Sequence, residues 1–247
     1  VMRKAVCTIP DSTNYHKAAW IKGLKACGFE IVRDYNTPTK DDLLLIWNVS
    51  ARDKNHIKLF KDVGATILVA ENGYLGKMWG GHKWFALSRD HHNGAGTYPS
   101  HLGPSRVAKY SFECKPWREG GVEFVALPQR GIGEVGIAMP RDYKFPNKCR
   151  IRPHLGLQEI IPVERDIQNA RAVVTWGSGA AIKALAMGIP VFYGFNDWIA
   201  KDGATLISQA DWKNPQRPDR TKAFENVFSA MWTIQEVESG IAFNEFM

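Results

Sequence analysis

Several features that would assign a protein to a class at once are missing from this sequence. Its four cysteines, Cys7, Cys27, Cys114 and Cys149, are widely scattered, and no two stand at the spacing of zinc ligands. No run of about 20 apolar residues could span a bilayer, and the first residues lack the apolar core of a signal peptide. We therefore expect no metal site, no disulfide framework and no membrane span, and we expect a cytoplasmic protein.

Length and charge narrow the choice further. The 247 residues suffice for one large domain or two small ones, and they contain no low-complexity tract or repeat of fixed period. Lys and Arg number 32 against 25 Asp and Glu, which gives a formal net charge of +7. This excess favours polyanionic partners such as nucleic acid, anionic glycan or nucleotides. Because these charges are dispersed along the sequence, they do not indicate which of these partners the protein binds.

Short apolar runs alternate with helical patterns along most of the chain. Residues 42–49 contain Leu-Leu-Leu-Ile-Trp, the continuous apolar pattern of a buried parallel strand. Strands are predicted at residues 3–9, 29–33, 42–49 and 65–70, and again at 123–127, 148–152, 172–175 and 189–193. The alternation predicts an α/β fold with two Rossmann-like parallel-sheet domains, whose ligands bind beyond the carboxyl ends of the strands.

The alternation lapses between residues 76 and 121 and again near residue 220. Residues 115–121 contain proline and paired glycines, a composition typical of a linker. Residues 221–240 have apolar positions at helical spacing, which predicts one amphipathic helix, continuous or broken. We therefore predict a first domain at residues 1–120, a second at 121–220 and a C-terminal helix within 221–247.

The most informative motif is a glycine turn between two apolar runs. Residues 175–191 read Thr-Trp-Gly-Ser-Gly-Ala-Ala-Ile-Lys-Ala-Leu-Ala-Met-Gly-Ile-Pro-Val, which predicts the end of a strand, a turn, a helix and another strand. Gly177 and Gly179 permit a tight turn and close approach of a ligand, and Ser178 can cap the helix. The N–H groups at the helix start would favour an anion. A well-formed turn that binds no ligand is the alternative.

This motif resembles the donor-binding segment of GT-B glycosyltransferases. Residues 150–154, Arg-Ile-Arg-Pro-His, are similar to the Arg-x-His segment found one strand earlier in such enzymes, including bacterial capsule-type sugar transferases. The chain also resembles phage-encoded glycosyltransferases with ENGYLG, HNG and RPH segments, here at residues 71–76, 92–94 and 152–154. One departure is Lys183, which stands where those enzymes carry the glutamate of Glu-Ala-Leu. The carboxylate that often binds a ribose or sugar hydroxyl is then missing, and Lys183 would instead face phosphate.

The resemblance implies a small GT-B architecture, in which the C-terminal helix crosses back to the first domain. It also implies transfer of a sugar from a nucleotide-sugar donor, with a UDP-sugar as the expected donor and no metal or further cofactor required. The implied donor-binding residues are Arg130, Arg152, His154, Thr175, Gly177, Ser178, Gly179 and Lys183.

Polar residues near the strand ends of the first domain predict the acceptor side. Glu71 directly follows a predicted buried apolar run. An unpaired charge in that position is costly, so we expect Glu71 to have an interaction partner or a function. Residues 79–98, interpreted as a long functional loop, add amide, imidazole, guanidinium and aromatic groups of the kinds that bind sugars or bases. We predict Glu71, Asp90 and His92 as candidates for the base that accepts the acceptor proton. The predicted acceptor-binding residues are Asp11, Asn72, Arg89 and Asn93, although Asp11 serves equally well as a helix cap.

The acceptor itself is predicted from charge and resemblance together. Basic charge and the phage-type segments favour a 5-hydroxymethyl pyrimidine in phage DNA, which would make this a DNA-binding enzyme of the host cytoplasm. A cell-surface glycan explains residues 79–98 equally well. A non-catalytic nucleotide-binding module and a nucleotide-sugar epimerase are further alternatives. The sequence does not indicate an oligomeric state.

Overall fold

The fold follows from the apolar runs that the sequence places at regular intervals. The computed structural model describes residues 2–33, 35–76, 78–129, 131, 133, 136–153 and 161–247. The Leu-Leu-Leu-Ile-Trp run forms strand β3, Leu43–Trp47, and all five of its residues are buried. It lies inside a mostly parallel sheet, as such a run predicts. The Rossmann-like α/β class expected from the sequence is confirmed.

The first part of the described chain forms one sheet and three α-helices. The strands are β1 Lys4–Cys7, β2 Glu30–Val32, β3 Leu43–Trp47, β4 Thr66–Asn72, β5 Met78–Trp79 and β6 His82–Arg89. The helices are α1 Lys17–Ala26, α2 Lys54–Asp62 and α3 Gly103–Lys109. Strands β2, β1, β3 and β4 lie side by side in that order and are parallel, and β6 continues the sheet antiparallel to β4. Strand β5 pairs with β6.

The second part forms a parallel sheet with short helices. Its strands are β7 Glu123–Leu127, β8 Cys149–Ile151, β9 Ala170–Thr175, β10 Val191–Tyr193 and β11 Thr205–Leu206. Its helices are α4 Val163–Asp166 and α5 Ala180–Ala186. The strand order is β8, β7, β9, β10, β11, and every neighbouring pair is parallel. Both sheets therefore place their first strand between their second and third. This topology opens a crevice between β1 and β3 and another between β7 and β9.

The last part of the chain returns to the first sheet. Its elements are α6 Thr221–Ala230, β12 Met231–Thr233, α7 Ile234–Glu238 and α8 Ile241–Asn244. The helix predicted over residues 221–240 is therefore broken rather than continuous, because β12 separates α6 from α7. Strand β12 pairs antiparallel with β6 and supplies partners for an edge that would otherwise be open. Thr233 and Glu236 then start α7 with a capping box.

The interpretation of residues 79–98 as one long functional loop is also wrong. Strand β6 occupies residues 82–89 and lies between β4 and β12. Its buried run Trp84, Phe85, Ala86 and Leu87 was the sequence signal for a central strand. Glu71 and Asn72 lie within β4, opposite Ala86 and Phe85, rather than after it.

A buried arginine fastens the returning segment to α3. Arg106 Nε donates to the carbonyl of Phe228 at 2.9 Å, and its Nη1 and Nη2 each donate to the Glu236 carboxylate at 2.9 Å. Lys109 and Tyr110 donate to the same carboxylate at 2.8 and 2.9 Å. Burial opposes ionisation of Glu236, but the Arg106 and Lys109 contacts prevail and lower its pKa to about 2. The charged network thus replaces the interactions with water that Glu236 loses on burial.

Replacing Arg106 by methionine should destabilise the protein by about 3 to 5 kcal/mol, because Glu236 would stay buried without its main partner. Urea unfolding followed by tryptophan fluorescence measures this loss. The control is Lys22→Met, which removes an exposed 3.0 Å ion pair with Glu238 and should change stability by less than about 1 kcal/mol. Equal losses in the two variants would contradict a special role for Arg106.

Candidate functional site

A cleft lies between strand ends of the two sheets. Its volume is about 460 Å³, within the usual range for small-molecule sites. The first sheet contributes Asn48 after β3 and residues Glu71, Asn72, Gly73, Tyr74 and Gly76 at the end of β4. The second contributes Leu127, Pro128, Arg152, Pro153, Pro162, Val163, Glu164, Ser178, Gly179, Ala180 and Lys183. The carboxyl ends of parallel strands from both sheets thus face one cavity, which is where such sheets bind ligands.

Glu71 presents a carboxylate to this cleft. Its Oε1 accepts hydrogen bonds from the Tyr74 hydroxyl at 2.5 Å and from the Asn93 backbone N–H at 2.9 Å. Burial raises the pKa of Glu71 from its usual 4.5 to about 7, against the lowering effects of these two bonds and of His91. A carboxylate with that pKa can accept a proton near neutral pH and release it again.

Asn93 connects Glu71 to the glycine turn of the second sheet. The residue is buried, and its backbone has a φ of 55°, in the left-handed region that asparagine tolerates better than most residues. Its side-chain Nδ2 donates to the Gly177 carbonyl, while its backbone N–H donates to Glu71. The sequence placed Asn93 among acceptor ligands, whereas its contacts in the structure link the two walls of the cleft.

The glycine turn is held by hydrogen bonds within the protein. Thr175 Oγ1 donates to the Leu127 carbonyl at 3.2 Å and accepts from the Ser178 N–H at 2.9 Å. The Gly177 N–H donates to Gln129 Oε1 at 2.9 Å, and the Ala180 N–H to Ser178 Oγ at 3.2 Å. Three N–H groups that the sequence offered to an anion are therefore already satisfied. The turn is fixed in position rather than open.

The two glycines allow close packing around this turn. A Cβ at Gly179 would lie 3.3 Å from Tyr74 Cδ1, and one at Gly177 would lie 3.2 Å from Phe195 Cβ. Tyr74 belongs to the first sheet's side of the cleft and is 3% exposed. Gly179 thus lets the tyrosine that holds Glu71 reach the opposite wall.

Two predicted donor-binding cations line the cleft, and both are paired with carboxylates. Arg152 is buried, forms a 2.8 Å ion pair with Asp166 and donates to the Ile161 carbonyl. Lys183 Nζ lies 2.5 Å from Glu164 Oε1. Burial raises the pKa of Glu164, but the Lys183 contact, a backbone hydrogen bond and the Arg152 charge together outweigh burial, so the pKa is lowered. Glu164 is thus a charged cleft residue that sequence reasoning missed, and it brings a carboxylate beside the lysine that replaces the expected helix glutamate.

Three predicted residues lie away from the cleft. The described cleft-lining residues do not include Asp11, Arg89 or Asp90. Strand β6 runs antiparallel to β4 and places Arg89 opposite Leu68, where its side chain donates to the Phe246 carbonyl. Asp90 and Asp11 are exposed. Arg89 and Asp90 were expected beside Glu71 because their strand had been interpreted as a loop.

The remaining predicted residues divide into buried and undescribed ones. His92 is 8% exposed, and burial lowers its pKa to about 4, so its imidazole is neutral at pH 7. Arg130 and His154 lie outside the described residues. No group of three or more potential metal ligands occurs within the described chain. Across that same part, every helix is too short or too polar to cross a membrane.

Comparisons with known proteins show that the chain is similar in fold to a solved structure. No family model matches the chain, and no curated protein matches it in sequence. Among solved structures it is similar to the Thermosulfurimonas dismutans KpsC beta Kdo 2,7 transferase, with a TM-score of 0.56 and 13% identity over 98% of this chain and 99% of that one. The KpsC beta Kdo 2,4 transferase gives a TM-score of 0.49 and 12% identity over 92% and 90%. The first likeness shows a shared fold.

The raised pKa of Glu71 predicts a pH-dependent cost to stability. Between pH 4.5 and about 7 the folded state holds more protons than the unfolded state, so stability falls as pH rises through this window. Glu71→Gln should therefore be more stable than the unchanged protein by about 3 kcal/mol near pH 8, and about equally stable near pH 4. Urea unfolding at both pH values measures the difference. The exposed Glu238→Gln is the control, and a pH-independent effect of Glu71→Gln would contradict the assignment.

Proposed function

We propose that this protein is a glycosyltransferase that moves a sugar from a nucleotide-activated donor to a hydroxyl of a glycan. The observation that carries the proposal is the Glu71 carboxylate. It has a pKa of about 7 and sits in a cleft between the strand ends of two parallel sheets. The fold likeness to a protein described as a Kdo transferase and the resemblance of residues 175–191 to GT-B donor segments support the same activity.

The two-domain GT-B layout is part of this proposal. In it, residues 1–120 form the acceptor side and residues 121–220 the donor side, and residues 221–247 cross back. Support comes from the matching strand orders of the two sheets and from the single cleft that both line. The pairing of β12 with β6 supports the crossing of the last segment.

The donor would lie against the second sheet, with its phosphate near Arg152 and Lys183. A phosphate oxygen could replace Glu164 as the partner of Lys183, because both are anions of suitable size. Glu164 would then be free to accept hydrogen bonds from donor hydroxyls. Arg130 and His154 remain predicted donor ligands, and a UDP-sugar remains the expected donor. With cations to meet the phosphate charge, the reaction as proposed requires no metal.

The reaction is a substitution at the anomeric carbon of the donor sugar. The acceptor hydroxyl gives its proton to the Glu71 carboxylate, and its oxygen forms the new bond to the anomeric carbon. The bond from that carbon to the donor phosphate oxygen breaks, and the nucleotide leaves with the electron pair. The Asn93 contact would connect the base to the turn on the donor side, which helps to orient the two reacting groups.

A glycan acceptor replaces the DNA acceptor predicted from the sequence. The solved structure that shares the fold is named a beta Kdo 2,7 transferase, and this name supports a glycan acceptor. The described residues that line the cleft do not favour a base over a sugar. The net charge of +7 suits an anionic glycan as well as nucleic acid.

The decisive experiment offers the protein a panel of nucleotide sugars together with two acceptors, anionic oligosaccharides and DNA containing 5-hydroxymethyl pyrimidines. Mass spectrometry then follows both acceptors. One added sugar on the oligosaccharide supports the proposal, and one on DNA would move the acceptor to nucleic acid. Conversion of a free nucleotide sugar would indicate an epimerase. Nucleotide binding without any of these reactions would indicate a binding module.

Glu71→Gln should lower transfer by about 100-fold to 10,000-fold, the usual contribution of a general base, while nucleotide binding is retained. Asp90→Asn is the matched control, because Asp90 is exposed and lies away from the cleft. Initial rates and nucleotide titrations of both variants provide the comparison. A larger loss in Asp90→Asn would assign the base to that residue instead.

Lys183→Met should weaken nucleotide binding by about 10-fold to 100-fold, since one charge-assisted contact to phosphate contributes roughly 1.5 to 3 kcal/mol. Glu164→Gln should change nucleotide affinity less than Lys183→Met does, because it keeps Lys183 and frees it from its ion pair. Calorimetric titration with UDP measures both. Lys201→Met, which breaks a 3.9 Å surface pair with Asp197, serves as the control and should leave affinity unchanged. Equal effects of the two lysine variants would remove Lys183 from the donor site.

A further inference from the structure

A short segment after β6 crosses from the first sheet to the second. We call residues 91–94 the bridging segment. A Cβ at Gly94 would lie 2.2 Å from the Asp197 carbonyl oxygen and 2.4 Å from the Ile199 nitrogen, so no side chain fits there. A Cβ at Gly133 would lie 3.2 Å from His91 Cε1. The bridging segment is therefore packed, backbone against backbone, on loops of the second sheet.

Asn93 lies at the centre of this segment and donates to both walls of the cleft. Its backbone N–H points to the Glu71 carboxylate at 2.9 Å, and its side-chain Nδ2 to the Gly177 carbonyl. The two bonds require the left-handed backbone, which asparagine adopts at lower cost than alanine. The residue is 7% exposed, so water does not readily replace either contact.

We propose that Asn93 is a positioning residue that couples the Glu71 carboxylate to the Gly177 turn, so that occupation of the donor side of the cleft changes how Glu71 is held. The inference rests on the proposed function for the roles of Glu71 and of the turn. Its physical basis is a single rigid residue with one hydrogen bond to each. Any shift of the turn displaces the Asn93 amide, and the same residue's N–H moves relative to Glu71.

Coupling of this kind is reciprocal. If a ligand at the turn alters the hydrogen bond to Glu71, the protonation state of Glu71 must alter the affinity for that ligand by the same factor. The other described titratable groups that act on Glu71 are Tyr74, from the same wall, and His91, from the bridging segment. Both stay unchanged when Asn93 is substituted, so an effect of the substitution reports on Asn93 itself.

Two substitutions separate the two contacts of Asn93. Asn93→Gly removes the amide but keeps the left-handed backbone accessible, whereas Asn93→Ala removes the amide and also disfavours that backbone. Ser111→Gly is the control, because Ser111 is another left-handed residue with a φ of 49°, exposed and distant in the fold from the cleft-lining residues. Circular dichroism confirms that each variant is folded.

The measurement is a pH titration of the Glu71 carboxyl by carbon-13 NMR, assigned with Glu71→Gln, with and without UDP. UDP should shift the Glu71 midpoint in the unchanged protein and in Ser111→Gly. In Asn93→Gly that shift should fall to less than half. In Asn93→Ala the midpoint without UDP should also rise, because the N–H that stabilises the charged carboxylate is no longer held.

The outcomes distinguish this inference from the proposed function. An equal UDP-dependent shift in Asn93→Gly and in the unchanged protein would overturn the coupling, and so would binding of UDP without any shift in the unchanged protein. Failure of UDP to bind would count against the donor assignment, and the ligand-free titrations would then decide. Identical midpoints in the unchanged protein, Asn93→Gly and Asn93→Ala would overturn a positioning role, whereas a raised midpoint in Asn93→Ala would support it.

Discussion

The return of the last residues to the first sheet is the constraint on which the cleft depends. One end of α6 is tied to the second sheet's side, where Arg220 donates to the Leu185 carbonyl at 2.7 Å and Asn226 to Asp202 at 3.0 Å. The other end leads directly into β12, which pairs with β6. The buried Arg106 network holds that junction. Because one continuous segment is fastened to both sides, the separation of the facing strand ends is set by its packing.

This fixed separation explains how the Glu71 carboxyl can stay buried although burial makes its ionisation unfavourable. Burial alone would favour a neutral Glu71, and Tyr74 and Asn93 offset only part of that cost. A looser fold would relax by exposing the side chain to water. Here Tyr74 is itself packed against Gly179, so the carboxylate remains where a proton can be exchanged at neutral pH. Such a conflict between stability and local preference is typical of functional sites.

The parts of the fold that sequence could predict are those specified by local pattern. The buried run of β3 and the β9, α5 and β10 unit follow from apolar periodicity and glycine punctuation. Strand β6 was missed although its apolar run is a local signal, and its pairing with Met231 to Thr233 is a feature that no local pattern reveals. The misplacement of Arg89 and Asp90 follows from that omission. Glu71 was found because a carboxylate in a buried run is a local anomaly, whereas Glu164 is recognisable only through its contact with Lys183.

The charges that line the cleft determine how the basic composition of the chain relates to the choice of acceptor. Among the described residues that line it, Glu164 and the partly ionised Glu71 oppose Arg152 and Lys183, so these residues contribute little to the net charge of +7. Other positive charges lie on the surface, for example on the exposed Lys54, Lys58 and Lys61 of α2. A polyanion attracted by that charge would meet the surface before the cleft. The electrostatic argument for a DNA acceptor therefore concerns approach to the protein, and the choice of acceptor depends on the uncharged and hydrogen-bonding groups around Glu71.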